Sequence, residues 1–397
     1  MVNLQFPSRF ATFKLHSTIA LFLLAGCIAC SSSEAAQSSF QLPIPQSAAS
    51  EELRMFELNN PQELDELTTL LLKKRALFVG EIHDRPIHHE NQLRIIQSLY
   101  ARHADLVIGV EYFQQPFQRY LDDFLAGRID EKHMLLKTEY YKRWQMDYRM
   151  LQPILEFAKQ KHIPILALNI SEDIHSKVFN GGMQSLSAEE KAQIPYELRP
   201  PGDDYRQRLK AIFDSHPQGS SFENFVEGQV LWDEAMADTA SRYLLAHPQS
   251  RMVILAGLGH MMYGDGIPKL VNMRLGSDQS SIVINGDDFG QYPGIADFLL
   301  STAGGKPLPK PGMLGVSIAN GLNGVRIESL LPNSAAQAVG LQAGDDIVML
   351  DDVRVTNVWD LKTQMFDKQP GQRVRVEVRR ENEHNATQTL RFEAALR

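Results

Sequence analysis

The sequence predicts an α/β protein: a mostly parallel central sheet flanked by helices with a helical lid insertion, followed by a small mainly-β domain. Three observations predict it. Between Glu51 and Leu300, short and nearly continuous apolar runs alternate with longer stretches of helical periodicity. That is the rhythm of parallel strands covered on both faces and joined by right-handed crossovers. Two of the runs end on one plan, G-x-x-H: Gly80-Glu81-Ile82-His83 and Gly257-Leu258-Gly259-His260. Beyond the Gly/Pro-rich stretch Ser301 to Pro311 the pattern changes to short strands with few helices.

At the N-terminus, Arg9 and Lys14 form a basic region and Ile19 to Ala25 a short apolar run, too short to span a bilayer as a helix. The run ends in Leu24-Ala25-Gly26-Cys27, which resembles the lipobox of bacterial lipoprotein signals. Residues 1–26 are therefore expected to be a signal peptide, with Cys27 the lipidated residue. Residues 27–50, rich in Ser, Ala, Gln and Pro, are expected to be a flexible tether. Ile28 rather than Asp behind the cysteine resembles cargo for an outer membrane, so the expected location is the cell envelope, lipid-anchored to the outer membrane and facing the periplasm. Both cysteines, Cys27 and Cys30, lie here, which leaves the folded body to core burial alone, without disulfide or thiol chemistry. The chain carries a net charge of −8, and loss of Arg9 and Lys14 makes the remainder more acidic. That argues against a nucleic-acid partner and against electrostatic membrane binding.

Within residues 51–300 the strands are expected at Ala76–Gly80, Leu106–Glu111, Ile163–Asn169, Met252–Gly257 and Ser281–Gly286. Helices are expected at Ile87–His103, Pro116–Leu125, Tyr148–Lys161 and Phe222–Ala246. The segment Ser171–His216 breaks the rhythm with Gly181-Gly182, Pro195, Pro200-Pro201 and a charged helical piece, Asp203–Phe213. It is read as a lid over the strand exits. After a linker at 301–311, residues 312–397 carry strands at Leu314–Ala319, Gly324–Ser329, Asp346–Leu350 and Arg373–Arg379, with helices at Ser334–Val339 and Val358–Phe366.

Extrapolated to one sheet, Glu81, His83, Glu111, Asn169 and His260 all leave its carboxyl edge, where open α/β sheets place their ligands. Two imidazoles and two carboxylates facing one cleft suit a divalent metal such as Mn, Co or Zn, or a general acid–base pair. Each residue alone is explained as a helix cap or a loop histidine. The set points to a site, because buried strand ends rarely carry so many costly ionisable groups without a partner. His88 and His89 read as a solvated first helical turn, and Tyr140, Tyr141 and Trp144 as packing. Asp233 is the candidate partner behind a histidine. Met261, Met262 and Tyr263 put soft apolar groups and a phenol at the pocket mouth, which suits a flat hydrophobic ligand.

The stretch G-E-I-H-D-R-P-I-H-H, the later V-E-Y-F, Asp147-Tyr148 before P-I-L-E-F-A, Ala167-Leu168-Asn169, the W-D-E-A-M-A helix and A-G-L-G-H-M-M-Y-G-D-G-I-P together resemble the ChaN family. These are bacterial haem-binding uptake lipoproteins of the Tiki/TraB/erythromycin-esterase superfamily. The resemblance implies haem as cofactor, a tyrosine as iron ligand with Tyr148 and Tyr263 as candidates, and His83 and His260 near the propionates, with Glu81 and Glu111 beside them. The paired G-x-x-H motifs also resemble the superfamily's metal-dependent hydrolases, so a peptidase or esterase using Glu81, His83, Glu111 and His260 is the alternative. Pro332-Asn333-Ser334-Ala335-Ala336, Gly340-Leu341-Gln342-Ala343-Gly344-Asp345 and I-V-M-L-D-D-V-R-V resemble a PDZ domain. There Leu314, Gly315 and Val316 are the carboxylate loop for a partner's C-terminus. The fusion departs from the minimal single-domain family. A third reading, an interaction module with a vestigial site, is disfavoured because all four ionisable strand-end residues are present.

Overall fold

A computed structural model describes residues 53–215, 219–286, 292–381 and 386–397. The expected signal peptide, Cys27 and the tether lie outside the described residues. Seven strands form one sheet: β1 (Arg54–Phe56), β2 (Ala76–Glu81), β3 (Leu106–Gln114), β4 (Ile165–Asn169), β5 (Arg251–Gly257), β6 (Ser280–Asn285) and β7 (Phe298–Leu300). Their order is β1-β7-β6-β2-β5-β3-β4, and every neighbouring pair is parallel. The three-residue strands β1 and β7 were not expected, since neither is long enough to show a period. Helices Glu131–Lys137 and Tyr140–Arg143 between β3 and β4 are also additions.

Alternation within β2 shows why the sheet is covered on both faces. Leu77 and Val79 enter one core with Ile108, Val110, Val253 and Leu255. Ala76 and Phe78 enter the other with Met252, Ile254 and Ala256, as a period of two requires. Helices Pro61–Leu71, Pro86–Arg102 and Gln152–Lys161 cover the first face. The 25-residue helix Phe222–Ala246 covers the second, with Met236, Ala237, Ala240 and Leu244 inward. It starts where the Ser221 side chain accepts a hydrogen bond from the Asn224 N–H, satisfying a donor that the first turn leaves free.

The lid is helical. Helices Glu172–Gly181 and Asp203–Asp214 lie on Phe222–Ala246 through two small apolar clusters of their own, around Val178 with Leu231 and around Leu209 with Val226.

The C-terminal domain is an antiparallel sheet in the order β13-β12-β10-β9-β8, with β11 on β10. Its strands are β8 (Val316–Asn320), β9 (Val325–Leu330), β10 (Asp346–Leu350), β11 (Val353–Arg354), β12 (Arg373–Glu381) and β13 (Thr387–Ala395). The strand β13 was not expected, and Leu314 precedes β8 rather than opening it. The segment 301–311, expected as a linker, packs along the first domain. Asn91 donates to the Ser301 carbonyl (3.3 Å) and Arg149 to the Pro309 carbonyl (2.8 Å). The two domains are docked. Phe366 joins the core of the first, its ring edge-on to Tyr148 at 5.4 Å, and Lys132 pairs with Asp367 at 3.0 Å. Among the described residues no helix is long and apolar enough to cross a membrane.

Candidate functional site

Parallel register aligns Glu81 at the end of β2 with Gly257 at the end of β5, and Val110 of β3 with Leu255. Glu81, Glu111 and Gly257 therefore emerge side by side. The chain leaves β2 toward β3 on one side and β5 toward β6 on the other, so this edge is the sheet's topological switch point.

Glu81 is fully enclosed. One oxygen lies 2.8 Å from His83 Nδ1. The other accepts from Gln92 Nε2 at 2.7 Å and from the Tyr112 hydroxyl, and faces His89 Nδ1 at 3.3 Å. Burial raises the Glu81 carboxyl, but the fields of His89 and His83 with these donated bonds outweigh it and lower its pKa to about 2. His83 stands edge-on to Trp144 at 4.8 Å, with Tyr112 behind Trp144. Burial lowers the His83 pKa, yet Glu81 and Glu111 together raise it above the ordinary imidazole value. A Cβ at Gly257 would come within 2.8 Å of His83 Cε1, so the imidazole occupies space that only glycine leaves.

The second group is built on His260, which is 2% exposed. Its Nδ1 lies 2.6 Å from Asp233 Oδ1, and its Nε2 lies 3.4 Å from Glu111 Oε1. The Tyr205 hydroxyl donates to the other Asp233 oxygen at 2.7 Å, and the Gly257 N–H donates to Glu111 Oε2 at 2.7 Å. Burial lowers the His260 pKa, but Glu111 and Asp233 overcome it and raise it to about 10. Glu111 is correspondingly held below the usual carboxylate range, against burial, by His260, His83 and that N–H. The Asn169 amide donates to the Glu111 carbonyl at 3.1 Å and so ties β4 to β3.

The structure thus brings Glu81, His83, Glu111, Asn169 and His260 to one edge, with Asp233 behind His260. Trp144, read from the sequence as packing, packs on His83. Tyr112, Tyr205 and Gln92 join the set without having been singled out. So does His175, carried in on lid helix Glu172–Gly181 with its ring 4.5 Å from Trp232. Burial and the nearby charge of His260 lower its pKa to about 4, so it is neutral at pH 7. His88 and His89 are not a solvated turn. Both are buried, His88 Nδ1 accepting from the Ile82 N–H at 2.9 Å and His89 Nε2 lying 3.1 Å from the His83 carbonyl.

Neither expected tyrosine hydrogen-bonds to this cluster. Tyr148 does not face the cleft: it is fully buried and donates to Glu131 Oε1 at 2.8 Å, beneath Phe366. Tyr263 has a positive φ of 61° and lies under the Arg208 guanidinium, 4.6 Å from its ring. Met261 and Met262 are core rather than a pocket mouth.

Chemically, the edge is a pair of carboxylate–imidazole units: His83 faces Glu81 through Nδ1, and His260 faces Asp233 and Glu111 through its two nitrogens. Among the described residues no group of three or more His, Cys, Asp or Glu side chains is arranged to hold a metal ion. By contrast, Tyr196 on the lid is fully exposed, alone among the tyrosines of the chain. In the C-terminal domain Gly315 has φ 72°, and a Cβ there would meet Ser334 Cβ at 2.5 Å, so the loop Leu314-Gly315-Val316 requires glycine. That loop opens on a cavity of about 440 Å³ between the domains.

The model of the family described as haem-binding uptake, Tiki superfamily, ChaN matches residues 67–271, and that of the PDZ domain matches residues 312–390. A solved structure described as cofacial haem binding to ChaN of Campylobacter jejuni is similar at 18% identity, covering 61% of this chain and 96% of its own, with a TM-score of 0.47. The HtrA3 PDZ domain bound to a phage-derived ligand shares 23% identity over 22% of this chain and 85% of its own, TM-score 0.19. The serine endoprotease from Yersinia pestis shares 19% identity over 22% of this chain and 28% of its own, TM-score 0.19. No curated protein matches the chain.

Proposed function

Because the chain belongs to the haem-binding uptake (ChaN) family of the Tiki superfamily, we propose that it is a lipid-anchored haem-binding protein of the cell envelope, acting in haem and iron uptake, whose PDZ domain binds a partner's peptide. The observation that carries the haem reading to particular residues is the full exposure of Tyr196 on the lid.

Haem needs an apolar surface for its macrocycle, a free donor for iron and cations for its propionates. The strand-end cluster does not fit: Glu81, Glu111 and His260 are buried, and they and His83 are engaged with one another. The lid fits. Tyr196 offers a phenol that no buried neighbour occupies, and as phenolate it is a hard anionic ligand for ferric iron. Ile194, Pro195, Leu198 and Pro200 surround it in sequence with apolar groups. Lys269, which borders Gly202 of the same segment and has no carboxylate partner among the described residues, supplies a cation for a propionate. Bound haem would supply the iron centre. The chain's own part is to bind, orient and shield it. The strand-end units then serve as the buried framework on which the lid is seated. Adding ferric haem to the purified mature protein should give a saturable Soret band; a band that grows linearly without saturation would remove the haem reading.

The envelope location rests on Leu24-Ala25-Gly26-Cys27. Cys27→Ser is expected to leave an unprocessed precursor absent from the detergent phase, while Cys30→Ser changes nothing. Equal detergent partitioning of the Cys27 variant and the parent would remove the lipid anchor.

A further inference from the structure

The edge strand of the PDZ sheet, β8, borders a cavity that it shares with the other domain through Val316 and Ile318. The cavity beside it is lined by Leu314, Gly315, Leu361 and Met365 of the PDZ domain, and across from them by Tyr141, Gln145 and Arg149. We propose that the peptide groove is a composite of both domains, and that its occupant is a peptide with a free C-terminal carboxylate, an apolar last side chain and an acidic residue upstream. The proposal rests on the PDZ reading given above and adds the second wall and the charge preference.

Three observations support it. First, among the described residues β8 pairs only with β9, so its outer edge is open to an added strand, and the loop before it takes the left-handed conformation at Gly315. Leu314, Leu361 and Met365 give the end of that slot an apolar lining. Second, the far wall is fixed. Arg149 holds the Pro309 carbonyl just ahead of the loop at 2.8 Å, Phe366 is seated on Tyr148, and Lys132 pairs with Asp367. The turn that carries Tyr141 and Gln145 also carries Trp144, packed on His83. A peptide in the slot therefore meets an anchored surface rather than a passing loop. Third, the charges do not cancel. Arg149 is neutralised by Asp147, with Nε 3.0 and 3.1 Å from its two oxygens. Lys362 lines the cavity with its ammonium over the Trp359 ring at 5.0 Å, and no carboxylate lies within ion-pair distance among the described residues. The groove is left one positive charge in excess, which favours an acid on the peptide.

The test uses the full mature chain and short fluorescent peptides ending in a free valine carboxylate, one acidic upstream and one basic, with amidated versions as controls. The acidic peptide is expected to bind about fivefold tighter than the basic one, the upper range of an exposed ion pair. Lys362→Glu should invert that preference. Gln145→Glu should weaken the acidic peptide and Gln145→Lys strengthen it, each by about threefold to fivefold, whereas the basic peptide responds oppositely. If free-carboxylate peptides bind but neither Gln145 variant changes their affinity, the composite groove is overturned and the PDZ reading stands. If no peptide distinguishes free carboxylate from amide, both fall.

Discussion

The Tyr196→Phe protein is expected to fold as the parent does, bind haem at least about tenfold more weakly, and lack the phenolate-to-iron charge-transfer band entirely. The substitution removes one oxygen from a ring that lies wholly in solvent, so no packing and no internal hydrogen bond is lost. The loss in affinity is set by the ligand itself, and even groups that only support a metal ligand change affinity by about 10- to 100-fold. Tyr148→Phe is expected to keep the band, because its hydroxyl is spent on Glu131. Tyr263→Phe should keep it too, its ring being covered by Arg208. Lys269→Ala should weaken haem without altering the band. A parent-like spectrum for Tyr196→Phe would move the iron ligand off the lid.

The second large effect concerns His260. Replacing it with alanine leaves Glu111 and Asp233 buried with their counter-charge removed, and breaking a buried pair in this way costs about 3–5 kcal/mol. In a domain of this size that lowers the melting temperature by about 6–20 °C. The pH dependence separates this ionic role from simple packing. The folded-state pKa of His260, about 10, lies above its ordinary 6.5, so its stabilisation is complete below pH 6.5 and is lost as pH rises toward 10. Glu81 runs the other way. Its pKa of about 2 lies below the ordinary 4.5, so its contribution is present above pH 4.5 and fades as pH falls through 2. The parent should therefore be most stable between these windows. Denaturant melts should show that His260→Ala loses the alkaline limb and keeps the acid one. An alanine variant with the parent's alkaline profile would mean that His260 is neutral in the fold.

The strand-end residues were legible in the sequence because a buried apolar run followed by a glycine and ionisable groups leaves little freedom over where those groups go. Parallel register then brings Glu81, Glu111 and Gly257 level without further information. The partners were less legible. His175 and Tyr205 arrive on lid helices, whose seating depends on small clusters that no periodicity marks. His88 and His89 look like a solvated first turn, but that turn of helix Pro86–Arg102 lies against the end of β2, where Glu81 and the Ile82 N–H need them. Tyr148 opens an apolar period, as a helix facing a cleft would, yet its ring is covered by a residue of the other domain. Exposure such as that of Tyr196 leaves no trace in a local pattern, since an irregular stretch has no face.

The place of β1 in the sheet bears on how the chain reaches its fold. Among the described residues this strand, the first of them, pairs with β7 alone, the last strand of its domain, through Arg54–Phe298, Met55–Leu299 and Phe56–Leu300. As the chain emerges from its N-terminus, β1 has nothing to join until Leu300 is available. Closing so long a loop is slow, because its entropy is lost before any contact compensates. The domain therefore cannot be completed before its last strand is available. Until then β1 is an unpaired strand that can pair with a neighbouring chain, and where a chaperone has reason to wait.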